Sequence, residues 1–361
     1  MNIKSTGEDA YFAASNSRSG FFSYYPQCFD TERIGHVFAI KGGPGTGKSY
    51  FMRAVSEHAR RGGWQAEYVY CSSDPDSLDG VILTRDGNGV AILDATAPHV
   101  YEPTTPGVRE EIIDLGAFWN RDALTAHADE IQAMNTEKRE AYRQAYRYLA
   151  AYGEMSENRD ELVAPYIRTD AMESFAEKLF WNVPRGRGFR EQPALMRSIG
   201  MQGQVGFDTY FARAEKIFLV EDCRGSAQYF MRILYQLAQK RRLRLRVSHD
   251  PILPERIDGL YLCDCDWVFA VGRTEECAYP YKRVGTRRFV DTTAMKSVRA
   301  PLNHAEQMCR AMLGGARDAL ARVCEVHFKI EEIYAASMDF AAKEAFTKSF
   351  CETHFPLQCE E

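Results

Sequence analysis

The residues best placed for chemistry in this 361-residue chain form the glycine-rich stretch G-G-P-G-T-G-K-S at residues 42–49. The stretch fits G-x-x-x-x-G-K-[ST], the pattern of a phosphate-binding loop (P-loop). Glycines let the backbone curl so that successive N–H groups point at phosphate oxygens. We expect Lys48 to act catalytically at the β- and γ-phosphates and the Ser49 hydroxyl to hold Mg²⁺. The residues predicted to contact the nucleotide are Gly42, Gly43, Pro44, Gly45, Thr46, Gly47, Lys48, Ser49 and Tyr50.

The flanking residues predict the elements that must position this loop. Residues 37–40 are the apolar run V-F-A-I, which predicts a buried strand. After the loop, apolar residues recur at helical spacing on one face, which predicts a helix. They are Phe51, Met52, Val55 and Ala59. The first N–H groups of that helix and its positive dipole end would then face the same anion as the loop.

A second candidate for catalysis and Mg²⁺ binding, Asp94, ends the run V-A-I-L-D. Four apolar residues followed by an aspartate are the usual form of a Walker B strand, whose carboxylate orients Mg²⁺. The run is the second arm of a predicted hairpin with the turn R-D-G-N-G at residues 85–89. Asp74, which follows the predicted strand at residues 66–71, is the alternative to Asp94.

Nearby acidic residues and a histidine are candidates for the remaining chemistry. The loop S-S-D-P-D-S-L-D-G supplies Asp74, Asp76 and Asp79, one of which we expect to position the attacking water. His99 lies in a loop at the carboxyl end of the Asp94 strand, where α/β sheets place ligands. It could sense a γ-phosphate, but we favour a loop histidine whose ring is simply hydrogen-bonded.

The chain contains an internal repeat. Residues 217–232 (I-F-L-V-E-D-C-R-G-S-A-Q-Y-F-M-R) align with the predicted strand, loop and helix at 37–53, and Y-F-M-R recurs unchanged. The hairpin recurs as L-Y-L-C-D-C-D-W-V-F-A-V at 260–271, and we match I-I-D at 112–114 to F-V-D at 289–291. These matches predict two tandem units of one α/β fold.

The second unit departs from the first where the chemistry lies. Asp222 stands in the place of Gly42, the loop is one residue shorter, and S-A-Q replaces G-K-S. The place of Asp94 is taken by Val271 or Gly272. Because Asp222 would present a carboxylate to phosphates with no lysine to compensate, we expect the first unit alone to bind nucleotide.

With these segments the sequence resembles an uncharacterised family of bacterial P-loop ATPases built from two tandem P-loop-like halves. The resemblance covers nearly the whole chain and is carried by G-G-P-G-T-G-K-S, by C-S-S-D-P-D-S-L-D-G-V at 71–81, by V-A-I-L-D-A-T-A-P-H at 90–99 and by I-I-D-L-G-A-F-W at 112–119. It implies ATP binding and hydrolysis but names no substrate. The second half departs from the family, in which its loop is expected to be a recognisable P-loop.

Composition and charge argue against several classes of protein. The net charge of −5 disfavours nucleic acid as a partner. The sequence contains no run of 18 apolar residues, so it predicts no membrane span. The N-terminus does not resemble a signal peptide. The ten cysteines include no C-x-x-C pair, so we expect reduced thiols in a cytoplasmic protein. The basic run K-R-R-L-R-L-R at 240–246 predicts a helix end and a strand with one solvated face.

The predicted architecture is α/β, with two tandem P-loop-like units at residues 1–183 and 194–361. Helical appendages are expected at 121–179 and 302–350, and these or the C-terminal half are the candidate surfaces for an unidentified protein partner. We expect a linker at 183–193, where Arg185, Arg187 and Arg190 are either solvated or in contact with the nucleotide.

The expected activity is slow hydrolysis of Mg-ATP in the N-terminal half, with a nucleotide-free C-terminal copy in a structural or regulatory role. One alternative is a small-molecule or nucleoside kinase, which needs an arginine-rich lid. Arg109 and Arg121 are the arginines available for it soon after Asp94. The other alternative is a non-catalytic switch that binds ATP and presents the second half to a partner.

Overall fold

A computed structural model describes residues 2–30, 34–99, 101–272 and 277–357, and it shows a mixed α/β protein. The strands are β1 (Asn2–Lys4), β2 (Asp9–Phe12), β3 (Ala14–Ser17), β4 (Gly20–Ser23), β5 (His36–Lys41), β6 (Gln65–Tyr70), β7 (Leu78–Arg85), β8 (Asn88–Asp94), β9 (Glu110–Asp114), β10 (Arg190–Pro193), β11 (Arg197–Gly200), β12 (Gly203–Phe207), β13 (Lys216–Glu221), β14 (Arg244–His249), β15 (Ile257–Leu262), β16 (Trp267–Val271) and β17 (Lys282–Gly285). The α-helices are α1 (Tyr25–Cys28), α2 (Lys48–Arg61), α3 (Arg121–Ala126), α4 (Ala128–Val163), α5 (Thr169–Phe180), α6 (Thr209–Arg213), α7 (Ala227–Lys240), α8 (Arg299–Ala336) and α9 (Phe340–His354).

The first six-stranded sheet has the order β2-β6-β7-β8-β5-β9. Its middle strands β6, β7 and β8 pair antiparallel, and the other neighbours pair parallel. The predicted hairpin between β7 and β8 is confirmed, and Asp86 and Gly87 at its tip have φ values of 53° and 81°. Positive φ at both central residues is what a tight type I′ hairpin turn requires.

The second six-stranded sheet has the order β10-β14-β15-β16-β13-β17. Its parallel and antiparallel pairings follow the same sequence as in the first sheet. The registers also correspond, because Ile40 pairs with Asp94 in the first sheet and Val220 pairs with Val271 in the second. Each sheet has one strand, β5 or β13, that lies between two parallel neighbours and is followed by a helix that packs on the sheet.

Three details of the sequence interpretation are wrong. Residues 289–291 do not match 112–114, because the strand in the position of β9 is β17 and a 3₁₀ turn follows it at Thr286–Phe289. The expected linker includes a strand, β10, which tolerates its proline because it lies at the edge of the sheet. Arg246 does not lie on a solvated face, because its guanidinium pairs with Glu67 at 3.0 Å in a largely buried position.

The predicted helical segments are confirmed, and the long helices α4 and α8 pack against each other. Glu137 forms an ion pair with Arg322 near one end of the pair, and Val163 packs with Leu302 at the other. Because low residue numbers in one helix meet high numbers in the other, the pair is antiparallel. Within the described residues, no helix is long and apolar enough to cross a membrane.

The helix that follows each long helix packs against the other half of the chain. α5, from the N-terminal half, contacts α7, with the rings of Phe175 and Phe230 6.1 Å apart. α9, from the C-terminal half, contacts α2, with the rings of Phe51 and Phe346 6.0 Å apart. The two halves are thereby interleaved, and the C-terminal helices lie against the glycine-rich loop.

Candidate functional site

The glycine-rich loop (residues 42–49) connects β5 to the N-terminus of α2, as the sequence predicts. Gly45 and Gly47 have φ values of 72° and 74°, a region where a side chain would be strained. No side chain caps the first turn of α2 within the described residues. The first N–H groups of a helix have no partner inside it, so this turn offers hydrogen-bond donors to an anion.

Lys48 and Asp94 lie together beside this loop. The Lys48 ammonium donates to the carbonyl oxygens of Gly42 (2.7 Å) and Gly43 (2.9 Å) and lies 3.4 Å from Asp94 Oδ2. Asp94 Oδ1 accepts a hydrogen bond from the Thr96 N–H at 2.8 Å. Burial raises the pKa of the Asp94 carboxyl, while the Lys48 ammonium opposes that rise. The pairing of β5 with β8 brings these two side chains, 46 positions apart in sequence, to one sheet edge.

Ser49 and Thr96 connect the loop to the neighbouring strands. Ser49 Oγ accepts a hydrogen bond from the Leu78 N–H at 3.1 Å, at the start of β7. The Thr96 hydroxyl donates to the Gly42 carbonyl at 2.9 Å. Thr46 is buried and its hydroxyl donates to the Gly43 carbonyl at 2.9 Å, which closes the loop on itself. Thr96 is a site residue that sequence reasoning missed.

His99 is a buried residue that is hydrogen-bonded near the loop, the arrangement that the sequence favours. Its Nε2 lies 3.1 Å from Asp79 Oδ2, and its ring stacks on Tyr25 at 4.7 Å. Burial alone would lower the pKa of His99, but the Asp79 carboxylate reverses this and raises the pKa overall. Cys71 approaches the same pair, and in the described ranges these three form the one group of three or more His, Cys, Asp or Glu side chains whose ligand atoms lie within 4.8 Å of one another. Burial raises the pKa of Cys71 well above its usual value, which disfavours the thiolate that a metal requires.

The three aspartates of residues 74–79 have different surroundings. Asp79 is occupied by His99, and Asp76 accepts from the Lys4 ammonium at 2.5 Å and from Gln202 Nε2 at 2.6 Å. Asp74 Oδ2 accepts from the Ser77 hydroxyl at 2.7 Å. Asp74 also acts electrostatically on the carboxyl of Glu331 in α8.

Residues of α8 and α9 complete the surroundings of the loop, and sequence reasoning missed them. A Cβ placed on Gly45 would lie 2.5 Å from the Glu331 carbonyl oxygen, and one on Gly47 would lie 2.5 Å from Lys343 Nζ. Burial raises the pKa of Glu331, and Asp74 adds to this rise, while a hydrogen bond from the Gly45 backbone lowers it. These residues follow the loop by almost 300 positions and belong to no local motif, so no sequence signal pointed to them.

In the second loop, at residues 222–228, side chains of the protein accept hydrogen bonds from the backbone N–H groups. The Asp222 carboxylate accepts from the N–H groups of Gly225 and Ala227, both at 2.8 Å. Asp160 of α4 lies against Gly225 and accepts from Gln228 Nε2 at 2.6 Å. Two backbone amides are thus held here by a carboxylate of the same loop, whereas in the first loop the Gly45 N–H is bonded to Glu331 of α8.

Of the two arginines considered for a kinase lid, Arg109 lies away from the loop. Arg109 precedes β9 and donates to the Ile34 carbonyl at 3.1 Å, at the end of the sheet opposite to the loop. Arg121 is exposed at the start of α3.

Two arginines of the expected linker, Arg185 and Arg187, flank Gly186, whose N–H donates to the Arg241 carbonyl at the end of α7.

Comparisons of the chain with protein-family models, with curated proteins and with solved structures found no match.

Proposed function

We propose that this protein is a P-loop nucleoside triphosphatase that binds Mg-ATP at the glycine-rich loop and hydrolyses it slowly. The observation that carries the proposal is the convergence of Lys48 and Asp94, 3.4 Å apart, at the uncapped N-terminus of α2. Convergent backbone N–H groups, a lysine and an aspartate at the end of the adjacent strand are the parts that phosphoryl transfer requires.

Each residue has a definite role in this proposal. The β- and γ-phosphates would replace the carbonyls of Gly42 and Gly43 as acceptors for the Lys48 ammonium. Ser49 and Asp94 would hold Mg²⁺, which supplies charge neutralisation at the transferred phosphoryl group. Asp74 would orient the attacking water. Each of these interactions acts on charge that develops in the transition state.

We also propose that the chain consists of two tandem copies of one P-loop-like unit, the second of which binds no nucleotide. The shared strand order, the corresponding registers of Ile40–Asp94 and Val220–Val271, and the recurring sequence Y-F-M-R support this duplication. The hydrogen bonds from the second loop to Asp222 support the loss of its site.

Arg109, one of the two arginines available for a kinase lid, lies at the end of the sheet opposite to the loop, which favours hydrolysis over transfer to another acceptor. A switch protein that binds ATP without turning it over would use the same contacts. Release of phosphate from ATP distinguishes a hydrolase from a switch, since a switch would bind ATP and release no phosphate.

Phosphate release from Mg-ATP by the purified protein tests the proposed function. The Lys48→Ala variant should lose at least about a hundredfold in turnover because the cation that would neutralise charge on the phosphates is removed. Lys240→Ala, at an exposed position at the end of α7, is the matched control and should hydrolyse ATP like the unmodified protein. Undiminished turnover by a folded Lys48→Ala variant would contradict the assignment.

A further inference from the structure

α9 carries a buried lysine, Lys343, to the N-terminus of α2. Lys343 is 3% exposed, and its Nζ lies 2.5 Å from the position that a Cβ on Gly47 would occupy. The ammonium lies over the rings of Tyr50 (4.6 Å) and Phe340 (5.1 Å). It therefore reaches the turn in which the loop becomes a helix.

A carboxylate acts on this ammonium from a distance, but among the described residues none pairs with it. Within the described residues, no ion pair or hydrogen bond joins Lys343 Nζ to a carboxylate. Burial lowers the pKa of Lys343, and the attraction of Glu344 only partly offsets this effect. The positive end of the α2 dipole also disfavours a cation at this place. A buried ammonium here becomes favourable when an anion occupies the loop, because burial without a partner is costly.

The corresponding position in the other half of the chain is apolar. The halves are joined by two reciprocal bridges, Trp119–Met338 and Ile167–Val290. Val290 follows Trp119 by 171 positions, and Met338 follows Ile167 by the same 171 positions. Counting 171 positions back from Lys343 gives Met172. Met172 on α5 is fully buried in the apolar cluster that includes α7. A lysine thus lies against the loop that contains G-K-S, and a methionine takes the corresponding position against the half whose loop contains Asp222.

We propose that Lys343 is a second phosphate-binding cation of the glycine-rich loop, so that α9 of the C-terminal half completes a nucleoside triphosphate site in the N-terminal half. This inference rests on the proposed function, since it names a further residue of the same site. Lys48 and Lys343 reach the loop from two different helices, α2 and α9. Nucleotide affinity would then depend on α9 remaining packed on α2.

Calorimetric titration with the magnesium complex of adenylyl imidodiphosphate, a non-hydrolysable triphosphate, tests this role. Lys343→Met introduces the residue found at the corresponding position 172 and should raise the Kd by about tenfold or more, because it removes a cation beside the phosphates. Lys348→Met is the matched control, since Lys348 is exposed on the same helix, and its Kd should stay within about twofold of the unmodified protein. Lys343→Arg keeps the charge and should retain most of the affinity.

Thermal unfolding without nucleotide distinguishes ligand binding from a structural role. Lys343→Met should unfold at the same temperature as the unmodified protein or higher, because a buried unpaired ammonium is replaced by an apolar chain. Should Lys343→Met fail to fold, Lys343→Gln takes its place in both measurements.

Equal affinities of Lys343→Met and Lys348→Met for the analogue would overturn the inference while leaving the proposed function in place. A lower unfolding temperature of Lys343→Met with unchanged affinity would likewise assign Lys343 a structural role only. Absence of binding by the unmodified protein would overturn both proposals.

Discussion

A few side chains distinguish the two loops of this protein. In the first, the backbone amides at the start of α2 have no capping side chain within the described residues, and Lys48 stands beside them. In the second, Asp222 holds the amides of Gly225 and Ala227. A carboxylate about 4 Å from a phosphate charge opposes binding by about 1–4 kcal/mol, depending on the effective dielectric. The two strand–loop–helix elements therefore differ in whether a carboxylate within the loop accepts a hydrogen bond from the amide at the start of the helix.

Asp94 offers a test of the metal site at this scale. Asp94→Asn keeps the shape of the side chain but removes the charge that would hold Mg²⁺. Hydrolysis should fall by at least about tenfold, and the affinity for ATP should fall more in the presence of Mg²⁺ than in its absence. Steady-state phosphate release and calorimetry with and without Mg²⁺ measure these effects.

Asp74→Asn is the comparison for this variant, because Asp74 follows strand β6 of the same sheet and was the alternative Mg²⁺ ligand. If Asp74→Asn shows the Mg²⁺-dependent loss and Asp94→Asn does not, Asp94 has been given the wrong role.

The sequence predicted the site residues that a local motif contains and missed those that come from elsewhere. Lys48 and Ser49 follow from the spacing of the glycines, and Asp94 follows from an apolar run that ends in an aspartate. Thr96, Glu331 and Lys343 carry no such signal. Each reaches the loop through tertiary packing, and for Glu331 and Lys343 that packing joins opposite ends of the chain.

At the scale of elements, the exchange of helices α5 and α9 is the feature that shapes the site. Phe350 of α9 is buried against Phe51 of α2 (ring centroids 5.2 Å apart) and Phe38 of β5 (4.8 Å). Phe175 of α5 contacts Phe230 of α7 in the reciprocal position. Each sheet layer therefore obtains part of its apolar cover from the other half of the chain.

Replacement of Phe350 by alanine tests how much this cover contributes. Removing a buried phenyl ring should lower the free energy of unfolding by about 3–5 kcal/mol, from lost transfer and from the cavity left behind. Phe328→Ala is the control, because Phe328 is 43% exposed on α8 and should change stability by less than about 1 kcal/mol. Urea unfolding followed by circular dichroism provides both values, and equal losses would show that α9 is not part of the core.

The exchange of α5 and α9 explains why the sequence predicted individual elements better than their arrangement in space. Local patterns predicted the β7–β8 hairpin, the strand before the loop and the long helices, since these depend on turn residues and apolar periodicity. No local pattern indicates that α9 crosses to α2 or that β10 pairs with β14. Both depend on which apolar faces remain uncovered once the sheets have formed, and the sequence of a single segment does not contain that information.

At the scale of the whole molecule, the two halves do not form separate bodies in contact at one face. β1 pairs with β12, Arg246 pairs with Glu67, and α4 lies antiparallel to α8. A ligand at the glycine-rich loop would therefore touch an element of each half. Binding energy at that loop would act on the packing between the halves, which gives the proposed triphosphatase a physical route from nucleotide to conformation.

The central claim is that one nucleotide binds per chain and that it binds at the glycine-rich loop. Calorimetric titration of the unmodified protein with magnesium adenylyl imidodiphosphate measures this most directly, with Lys48→Ala titrated in parallel. The account predicts a stoichiometry near one and a loss of that binding in Lys48→Ala, because the Asp222 carboxylate closes the second loop to phosphate. A stoichiometry near two, or no binding at all, would contradict it.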